Sequence, residues 1–319
     1  MVRLDGASVS RLLRPVFGDR RIVAVSHADG GKANTNYRVT VQSIADPVQV
    51  RLFTREPKAA TIETALLRLV AGAVPVPTLL HVADDNPVTG HPYAVMTWMP
   101  GLHLTDGLDA AAPGDLRALG AAVGRVLADI GQFRFDKAGF FDGNLSIAQE
   151  LDIGAQGFRT LMHNWLFGGL AGERLGAGPR DAFWRFLDES ADILNGWTAP
   201  PCLVHSDFGG SNILIRKDGE RWTVSAVLDW EFAFSGSPLV DLGHLLRRPG
   251  GDMPAFEAGL IDGYRENGGD LPSGWKPMAR LLDLTAWVDF LNQPGDRPNL
   301  HEAARRTIVK TMQEWPNLA

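Results

Sequence analysis

The stretch that decides the fold runs from residue 203 to residue 241 and reads LVHSDFGGSNILIRKDGERWTVSAVLDWEFAFSGSPLVD. An apolar pair opens it, followed by a polar loop that holds Asp207 and Asn212. Two strand-like runs come next, joined at 217–220 by a Lys-Asp-Gly-Glu turn of the kind found in β-hairpins. Asp229 ends the returning run. A hairpin therefore brings Asp229 beside the loop of Asp207 and Asn212.

These side chains suit phosphoryl transfer. That reaction needs a carboxylate near the acceptor hydroxyl and oxygen ligands for a Mg²⁺ that bridges the nucleotide phosphates. Mg²⁺ takes few protein ligands, because phosphates and water complete its octahedron. We therefore predict Asp207 as the base or hydroxyl-orienting group, and Asn212 and Asp229 as metal ligands. His205 is predicted to hold the loop by hydrogen bonding rather than to act as a base.

Upstream, two strand-like runs at 22–25 and 37–41 flank a loop rich in Gly and Asn. Such a loop lets backbone N–H groups approach phosphates closely. An ordinary hairpin turn is the alternative, because small polar loops are common. The loop residues predicted to contact a nucleotide are Gly30, Gly31, Asn34 and Asn36.

The next strand and helix place a cation near a carboxylate. Alternation along the strand at 48–53 puts Arg51 on the face opposite Val48, Val50 and Leu52. Glu63 lies beside the apolar stripe of a helix predicted around 59–71. The two side chains could pair to hold a phosphate-binding cation in place, or they could form a surface ion pair worth only about 0–1 kcal/mol.

The pattern of apolar residues changes from strand-like to helical near residue 100. Two more strands are predicted at 78–83 and 93–98, and a Pro-Gly turn follows at 100–101. Beyond it the apolar spacing is helical. We expect an α+β protein with one domain at 1–100 and a second, helical domain at 101–319. The predicted helices cover 113–130, 157–171, 180–196 and three segments after Pro254, and a first short one near Val9–Val16 is interrupted by Pro15.

Length, charge and cysteine content agree with this division into two domains and exclude several classes of protein. The length of 319 residues predicts two domains or lobes. A net charge of −6 argues against nucleic acid as a partner. The single cysteine, Cys202, excludes a disulfide within the chain. No stretch approaches the ~18 apolar residues of a membrane span and none has the form of a signal peptide, so we expect a cytoplasmic protein without a membrane partner.

The pattern His-x-Asp-x-x-x-x-Asn, then a hairpin, then Asp, resembles the catalytic and metal loops of protein kinases. It resembles still more closely the aminoglycoside phosphotransferase and choline kinase family of small-molecule kinases. The resemblance implies a protein-kinase-like two-lobe fold, with a small antiparallel β-rich N-lobe and a larger, mainly helical C-lobe. It also implies ATP and Mg²⁺ as cofactors.

The same resemblance extends to other motifs of the chain. GGKANTNYRV is similar to the family's phosphate loop, and Arg51 with Glu63 to its cation–carboxylate pair. VMTWMPG is similar to its inter-lobe hinge, where the backbone of Thr97, Trp98 and Met99 would hold the adenine. Asp241 matches a carboxylate that supports the loop architecture.

Two departures from protein kinases matter. Asp241 comes only ten residues after Glu231, too few for an activation segment, which disfavours a protein substrate. The strand position expected to carry Lys has Arg51, and the two cations are not interchangeable. Lys32 or Lys58 could therefore contribute to anchoring ATP.

The acceptor is expected to be a small-molecule alcohol or amino alcohol: aminoglycoside-, choline-, sugar- or homoserine-like. Acidic and aromatic side chains of the helical part could bind an amine by charge pairing and cation–π contact, or could be ordinary helix faces. These candidates are Asp283, Trp287, Asp289 and Asn292. The alternatives to a kinase are a non-catalytic nucleotide-binding protein of the same fold and a metal-dependent phosphate-ester hydrolase. We expect a monomer or a homodimer.

Overall fold

The computed structural model describes residues 2–28, 34–54, 56, 59–247 and 253–317. An antiparallel sheet with two helices forms the N-terminal part, and helices dominate the remainder. The predicted α+β class is therefore confirmed. The domain boundary between residues 100 and 101 stays a prediction.

The N-terminal part contains five strands whose order in the sheet is β1-β2-β3-β5-β4. Every neighbouring pair in this sheet is antiparallel. In chain order the elements are α1 (Gly6–Phe17), β1 (Ile22–His27), β2 (Thr35–Val41), β3 (Val48–Leu52), α2 (Ala59–Val70), β4 (Leu79–Ala83) and β5 (Tyr93–Thr97).

Helix α1 continues through Pro15, so the predicted interruption is wrong. At its start, the Asp5 side chain accepts a hydrogen bond from the Ser8 N–H at 2.8 Å, which caps the helix. Its buried face packs on the sheet through Val9 and Leu12. Proline costs about 3 kcal/mol in a helix interior, and burial of each large apolar side chain returns about 1.5–3 kcal/mol. Packing therefore outweighs the lost hydrogen bond.

The two faces of β3 carry different chemistry, as the alternation predicts. Val48, Val50 and Leu52 are buried in the apolar cluster that contains α1. Arg51 lies on the opposite face and is only 4% exposed. The sheet thus presents the buried Arg51 guanidinium toward the rest of the protein.

The C-terminal part contains most of the helices and two small antiparallel sheets of order β11-β10-β6 and β8-β7-β12-β9. Its elements are β6 (Leu102–His103), α3 (Leu104–Ala110), α4 (Leu116–Gly131), β7 (Gly139–Phe141), β8 (Ile147–Glu150), α5 (Ala155–Gly168), α6 (Leu170–Leu175), α7 (Ala177–Ser190), β9 (Cys202–Val204), β10 (Ile213–Asp218), β11 (Arg221–Val227), β12 (Phe234–Gly236), α8 (Leu239–Leu245), α9 (Pro254–Glu266), α10 (Trp275–Asn292) and α11 (Pro298–Glu314), with 3₁₀ turns at Ala191–Gly196 and Trp315–Asn317.

The hairpin predicted in the central stretch is confirmed as β10 and β11, and the three helical segments after Pro254 are α9, α10 and α11. The helix predicted at 157–171 is wrong in extent, because the backbone at Gly169 is extended and separates α5 from α6. The helix predicted at 180–196 ends at Ser190 and continues as a 3₁₀ turn.

Helices α4 and α9 approach each other unusually closely, because both place glycines in the contact. A Cβ atom on Gly124 would lie 2.0 Å from the Leu260 carbonyl oxygen. Gly120 faces α9 in the same way, and Gly259 and Gly263 face α4. Glycine at these four positions lets the two helix backbones come into contact. The α4–α9 pair then supports β9 and β11, which pack on α4.

We predict that Gly124→Ala destabilises the protein by about 1–3 kcal/mol, because the added methyl group forces the two backbones apart. Urea unfolding followed by circular dichroism measures the change. Gly178→Ala is the control: this helical glycine has open space around its Cβ position, so the alanine is expected to leave stability unchanged or to raise it by up to about 1 kcal/mol. Equal effects of the two substitutions would contradict the close helix contact.

Candidate active site

A buried carboxylate holds the loop that follows β9. Asp241, in the first turn of α8, is fully buried, and its two oxygens accept the backbone N–H groups of His205 and Ser206, each at 2.8 Å. Burial raises the pKa of Asp241 to about 7, against the lowering effect of these two bonds. Ser206 has a positive φ of 66°, a strained conformation that the two bonds help to maintain. Asp241 thereby sets the path of the chain into Asp207.

His205 is a structural group in this site. Its Nδ1 accepts the Asp207 N–H at 3.2 Å, so its Nε2 carries the proton and donates it to the Leu228 carbonyl at 2.8 Å. The ring is fully buried, and its centroid lies 4.7 Å from that of the Trp230 ring in an edge-to-face arrangement. Burial lowers the pKa of His205 to about 4. A neutral imidazole therefore ties the loop of Asp207 to the end of β11.

Asn212 fixes the carboxylate of Asp207. Its Nδ2 donates to the backbone oxygen of Asp207 at 2.9 Å and to the side-chain Oδ2 at 2.8 Å. Burial raises the pKa of Asp207, while the Asn212 bond and the charge of Arg247 oppose that rise. Because the Asn212 amide nitrogen is committed to Asp207, the amide oxygen is the group left for a cation.

Arg51 joins the sheet to the end of β11. Its Nη1 lies 2.7 Å from Oδ1 of Asp229, and its Nη2 lies 3.0 Å from Oε2 of Glu63 on α2. Glu63 is 2% exposed, and burial raises its pKa to about 7 although Arg51 opposes the rise. Asp229 has a positive φ of 59°, which aspartate tolerates better than most residues. The predicted cation–carboxylate pair is therefore buried, and it includes the predicted metal ligand.

These groups surround one cavity of about 850 Å³ between the sheet and the C-terminal part. Asp207, Asn212 and Asp229 line one wall of it. Of the other predicted residues, the structure places Asn34, Asn36, Arg51, Glu63, Trp98 and Met99 on its lining. Gly30 and Gly31 lie outside the described residues, as do Lys32 and Lys58.

Two backbone N–H groups of the predicted hinge already donate hydrogen bonds within the protein. The Thr97 N–H donates to Thr78 O at 3.0 Å, and the Trp98 N–H donates to Pro47 O at 3.2 Å. The Thr97 side chain does not line the cavity. Within the described part of the chain, Met99 is the hinge residue whose N–H makes no backbone hydrogen bond.

The predicted acceptor residues are not assembled into an open acidic site. Asp283 is fully buried and accepts hydrogen bonds from Arg247 Nε at 2.7 Å and Trp287 Nε1 at 3.0 Å. Asp289 accepts from Gln293, and Asn292 accepts the Leu170 N–H at 2.8 Å. Arg247 already pairs with the Asp283 carboxylate, and the role of these four residues in binding an acceptor stays a prediction.

Two residues near the site were given no role from the sequence. Glu231 lines the cavity two positions after Asp229 and accepts from Asn34 Nδ2 at 3.5 Å, which brings the sheet and the segment after β11 together. Arg247 follows α8 and pairs with Asp283. The Asp-Trp-Glu triplet at 229–231 could have identified Glu231 from the sequence, whereas no local sequence pattern points to Arg247.

The fold is a two-lobe, protein-kinase-like α+β fold. The model of one family, the phosphotransferase enzyme family, matches residues 25–281. The chain therefore belongs to that family.

Curated and solved relatives extend this result. Acyl-CoA dehydrogenase family member 10 of Mus musculus is 28% identical over 195 residues, which are 59% of this chain and 17% of that protein. The chain thus spans about a sixth of that relative's length.

Among solved structures, the GDP complex of aminoglycoside 2'-phosphotransferase-IIIa has a TM-score of 0.74 at 16% identity, covering 98% of this chain and 99% of that chain. A thermostable mutant of aminoglycoside phosphotransferase APH(4)-Ia, in ternary complex with AMP-PNP and hygromycin B, has a TM-score of 0.69 at 19% identity, covering 97% and 99%. At these identities the likeness shows the shared fold.

No helix in the described ranges is both long and apolar enough to span a membrane. Within the same ranges, no group of three or more His, Cys, Asp and Glu side chains gathers as a metal cluster.

We predict that His205 makes the protein less stable in acid. Its pKa is lower in the folded state, so the unfolded chain binds the extra proton between about pH 6.5 and pH 4, and folding stability falls as the pH falls through that window. The loss attributable to His205 is at most about 3 kcal/mol. Urea titrations at a series of pH values measure it.

The comparison uses His205→Gln, which should be less stable at pH 7 but should lose less further stability on acidification. His163→Gln is the control, because His163 is exposed. If the unfolding free energy of His205→Gln falls with pH as steeply as that of the wild type, other groups cause the loss of stability in acid.

Proposed function

We propose that this protein is an ATP-dependent kinase that transfers the γ-phosphate to a hydroxyl group of a small molecule. The observation that carries the proposal is the common wall formed by Asp207, Asn212 and Asp229 in the cavity that Arg51 and Glu63 also line. A cavity of about 850 Å³ suits a nucleotide, since small-molecule sites measure roughly 300–1,000 Å³. Membership of the phosphotransferase enzyme family supports the reaction class.

The nucleotide base is proposed to bind at the hinge end of the cavity. Pro77, Met96, Leu214 and Val227 supply apolar surface there, and the Met99 N–H is the backbone donor proposed for the adenine. Arg51 then faces the phosphates, with Asn34 and Asn36 beside it. Solved structures of similar fold contain AMP-PNP, GDP or ATP with their own proteins. We propose the lobes at 1–100 and 101–319 as the two sides of this site.

Asn212 and Asp229 fit a magnesium ion by the chemistry of their donors. Both offer side-chain oxygens to the cavity, the Asn212 amide oxygen being left over once its nitrogen binds Asp207. Two protein oxygens suit Mg²⁺, which takes its remaining ligands from phosphates and water. A bound Mg²⁺ would neutralise charge on the β- and γ-phosphates.

Asp207 is proposed to orient the acceptor hydroxyl and to receive its proton. In the transfer, a bond forms between the acceptor oxygen and the γ-phosphorus, the bond from that phosphorus to the β–γ bridging oxygen breaks, and the hydroxyl proton passes to the Asp207 carboxylate. Burial raises the pKa of Asp207, which favours acceptance of a proton, although Asn212 and Arg247 moderate the effect. Asn212 holds the carboxylate in place during this step.

The acceptor is proposed to be a small alcohol or amino alcohol. The thirteen residues from Asp229 to Asp241 already pass through β12 into α8, so no activation segment for a protein substrate is present between them. The solved structures of similar fold include complexes with hygromycin B and streptomycin.

A non-catalytic nucleotide-binding protein is the second candidate. The observation that favours it is the ion pair between Arg51 and Asp229, which engages one oxygen of the proposed metal ligand. Magnesium-dependent ATP binding with turnover separates the two candidates, because only the kinase shows both.

We predict that Asp207→Asn loses phosphoryl transfer by about 10²–10⁴-fold while ATP still binds, because the amide cannot accept the hydroxyl proton. ADP release in the presence of an accepted alcohol measures turnover, and calorimetry measures ATP affinity. Asp192→Asn, at a largely exposed surface position, is the control and should keep full turnover. Wild-type turnover in Asp207→Asn would refute the assigned role.

We predict that Asp229→Asn weakens ATP binding only when Mg²⁺ is present, because the variant loses the charged metal ligand but keeps the Arg51–Glu63 pair. We expect the Mg²⁺ concentration needed for half-maximal ATP binding to rise at least about tenfold. A magnesium titration of nucleotide binding, with Asp218→Asn as an exposed-turn control, checks it. An unaltered titration would place the metal elsewhere.

A further inference from the structure

Two side-chain amides lie next to Arg51 on the face of the sheet that borders the cavity. Asn36 on β2 is the register partner of Arg51 on β3. Gln49 precedes Arg51 by two residues on the same strand, so it shares that face. All three side chains line the cavity. Cross-strand partners have Cβ atoms about 4.5–5.5 Å apart, so the Asn36 amide stands beside the guanidinium that is proposed to face the phosphates.

The sheet holds the backbones of both amide residues in place. The Asn36 carbonyl accepts the Ala28 N–H at 2.9 Å, beyond the end of β1. Gln49 lies inside the sheet, paired with Arg38 on β2 and with Met96 on β5. Rotation about the side-chain bonds is therefore the remaining freedom, and it decides which end of each amide faces the cavity.

A hydrogen bond between the two amides sets the direction of Asn36. Gln49 Nε2 donates to Asn36 Oδ1 at 3.0 Å, so the oxygen end of the Asn36 amide is turned toward Gln49. Asn36 Nδ2 donates to no side chain or backbone group in the described ranges. It is also absent from the buried nitrogens of those ranges that lack a partner. Asn36 Nδ2 is therefore a free donor that a molecule in the cavity can reach.

The guanidinium of Arg51 is already surrounded by carboxylates. Its Nη1 lies 2.7 Å from Asp229 Oδ1 and its Nη2 lies 3.0 Å from Glu63 Oε2, and Glu231 lines the same cavity. These carboxylates offset the positive charge that Arg51 presents to a phosphate. A neutral N–H donor beside Arg51 then matters for binding, because hydrogen bonds to charged acceptors are about twice as strong as those between neutral groups.

Building on the proposed function, we propose that Asn36 Nδ2 donates to a phosphate of the nucleotide and that Gln49 is the positioning residue that turns this donor toward the cavity. Phosphate oxygens only accept hydrogen bonds. An Asn36 amide turned the other way would bring its own oxygen against them and repel them. Because Gln49 supplies a donor to Asn36 Oδ1, the oxygen is held away and the nitrogen faces the ligand.

The test compares Gln49→Met, Asn36→Ala and the double variant with the wild-type protein. Calorimetry in the presence of Mg²⁺ measures the affinity for ATP. Adenosine, which lacks phosphate, is measured as a competitor of ATP, and ADP release with an accepted alcohol measures turnover. Gln42→Met is the matched control, because Gln42 is exposed just beyond β2 and is not among the described residues that line the cavity.

We expect Asn36→Ala to weaken ATP binding by at least about tenfold, as the loss of a hydrogen bond to a charged group implies. Gln49→Met should weaken it about three- to tenfold, because the Asn36 amide is then free to turn. Neither variant should change the affinity for adenosine. The double variant should bind ATP as Asn36→Ala does, since a residue that acts through its neighbour gives non-additive effects.

Gln49→Glu reverses the proposed device. An ionised carboxylate only accepts hydrogen bonds, so Asn36 would turn Nδ2 toward it and present Oδ1 to the phosphates. The added charge also repels ATP, and the same change made in the Asn36→Ala protein measures that repulsion alone. We expect Gln49→Glu to lower ATP affinity by at least about threefold more when Asn36 is present than when it is absent.

The outcomes separate this inference from the function on which it rests. Unchanged ATP affinity in Asn36→Ala would overturn the phosphate contact. Additive losses in the double variant, or equal losses of adenosine and ATP affinity in Gln49→Met, would overturn the positioning role of Gln49, and normal turnover by the wild type would leave the kinase intact in each case. Wild-type protein that binds ATP but phosphorylates no alcohol would refute the kinase and leave the phosphate contact standing.

Discussion

One buried guanidinium joins the parts of this protein. Arg51 on β3 binds Glu63 on α2 and Asp229 at the end of β11. A buried ion is tolerated only when it is paired and hydrogen-bonded, and removal of one partner costs about 3–5 kcal/mol. The three elements are therefore held in a single arrangement, and the cavity between the sheet and the helical part takes its shape from them.

The same principle operates a second time, in the helical part. Arg247 and Asp283 form a buried pair between the end of α8 and α10, and α8 also carries Asp241, which shapes the loop of Asp207. Helix α8 thus links the Arg247–Asp283 pair to the loop of Asp207.

The fold and the position of the Asp207 loop were largely predictable, for a physical reason. The β10–β11 hairpin follows from an Asp-Gly turn between apolar runs, and the face occupied by Arg51 follows from strict alternation in β3. Such signals are local. The errors arose where tertiary contacts override local preference: packing of α1 carries it through Pro15, and an extended Gly169 divides a run that reads as one helix. Asp283 pairs with Arg247, which lies 36 residues away in the chain, and no local pattern links the two residues.

The sequence by itself determined the order of elements, the loop with Asp207 and Asn212, and the nearness of Asp229 to that loop, because hairpin and strand periodicity are properties of short segments. Only the tertiary structure decided which charges meet. It paired Arg51 with both Glu63 and Asp229, and it placed Arg247 rather than a ligand amine against Asp283. Ion pairs between distant segments depend on burial and on three-dimensional distance, and neither quantity is encoded in local spacing.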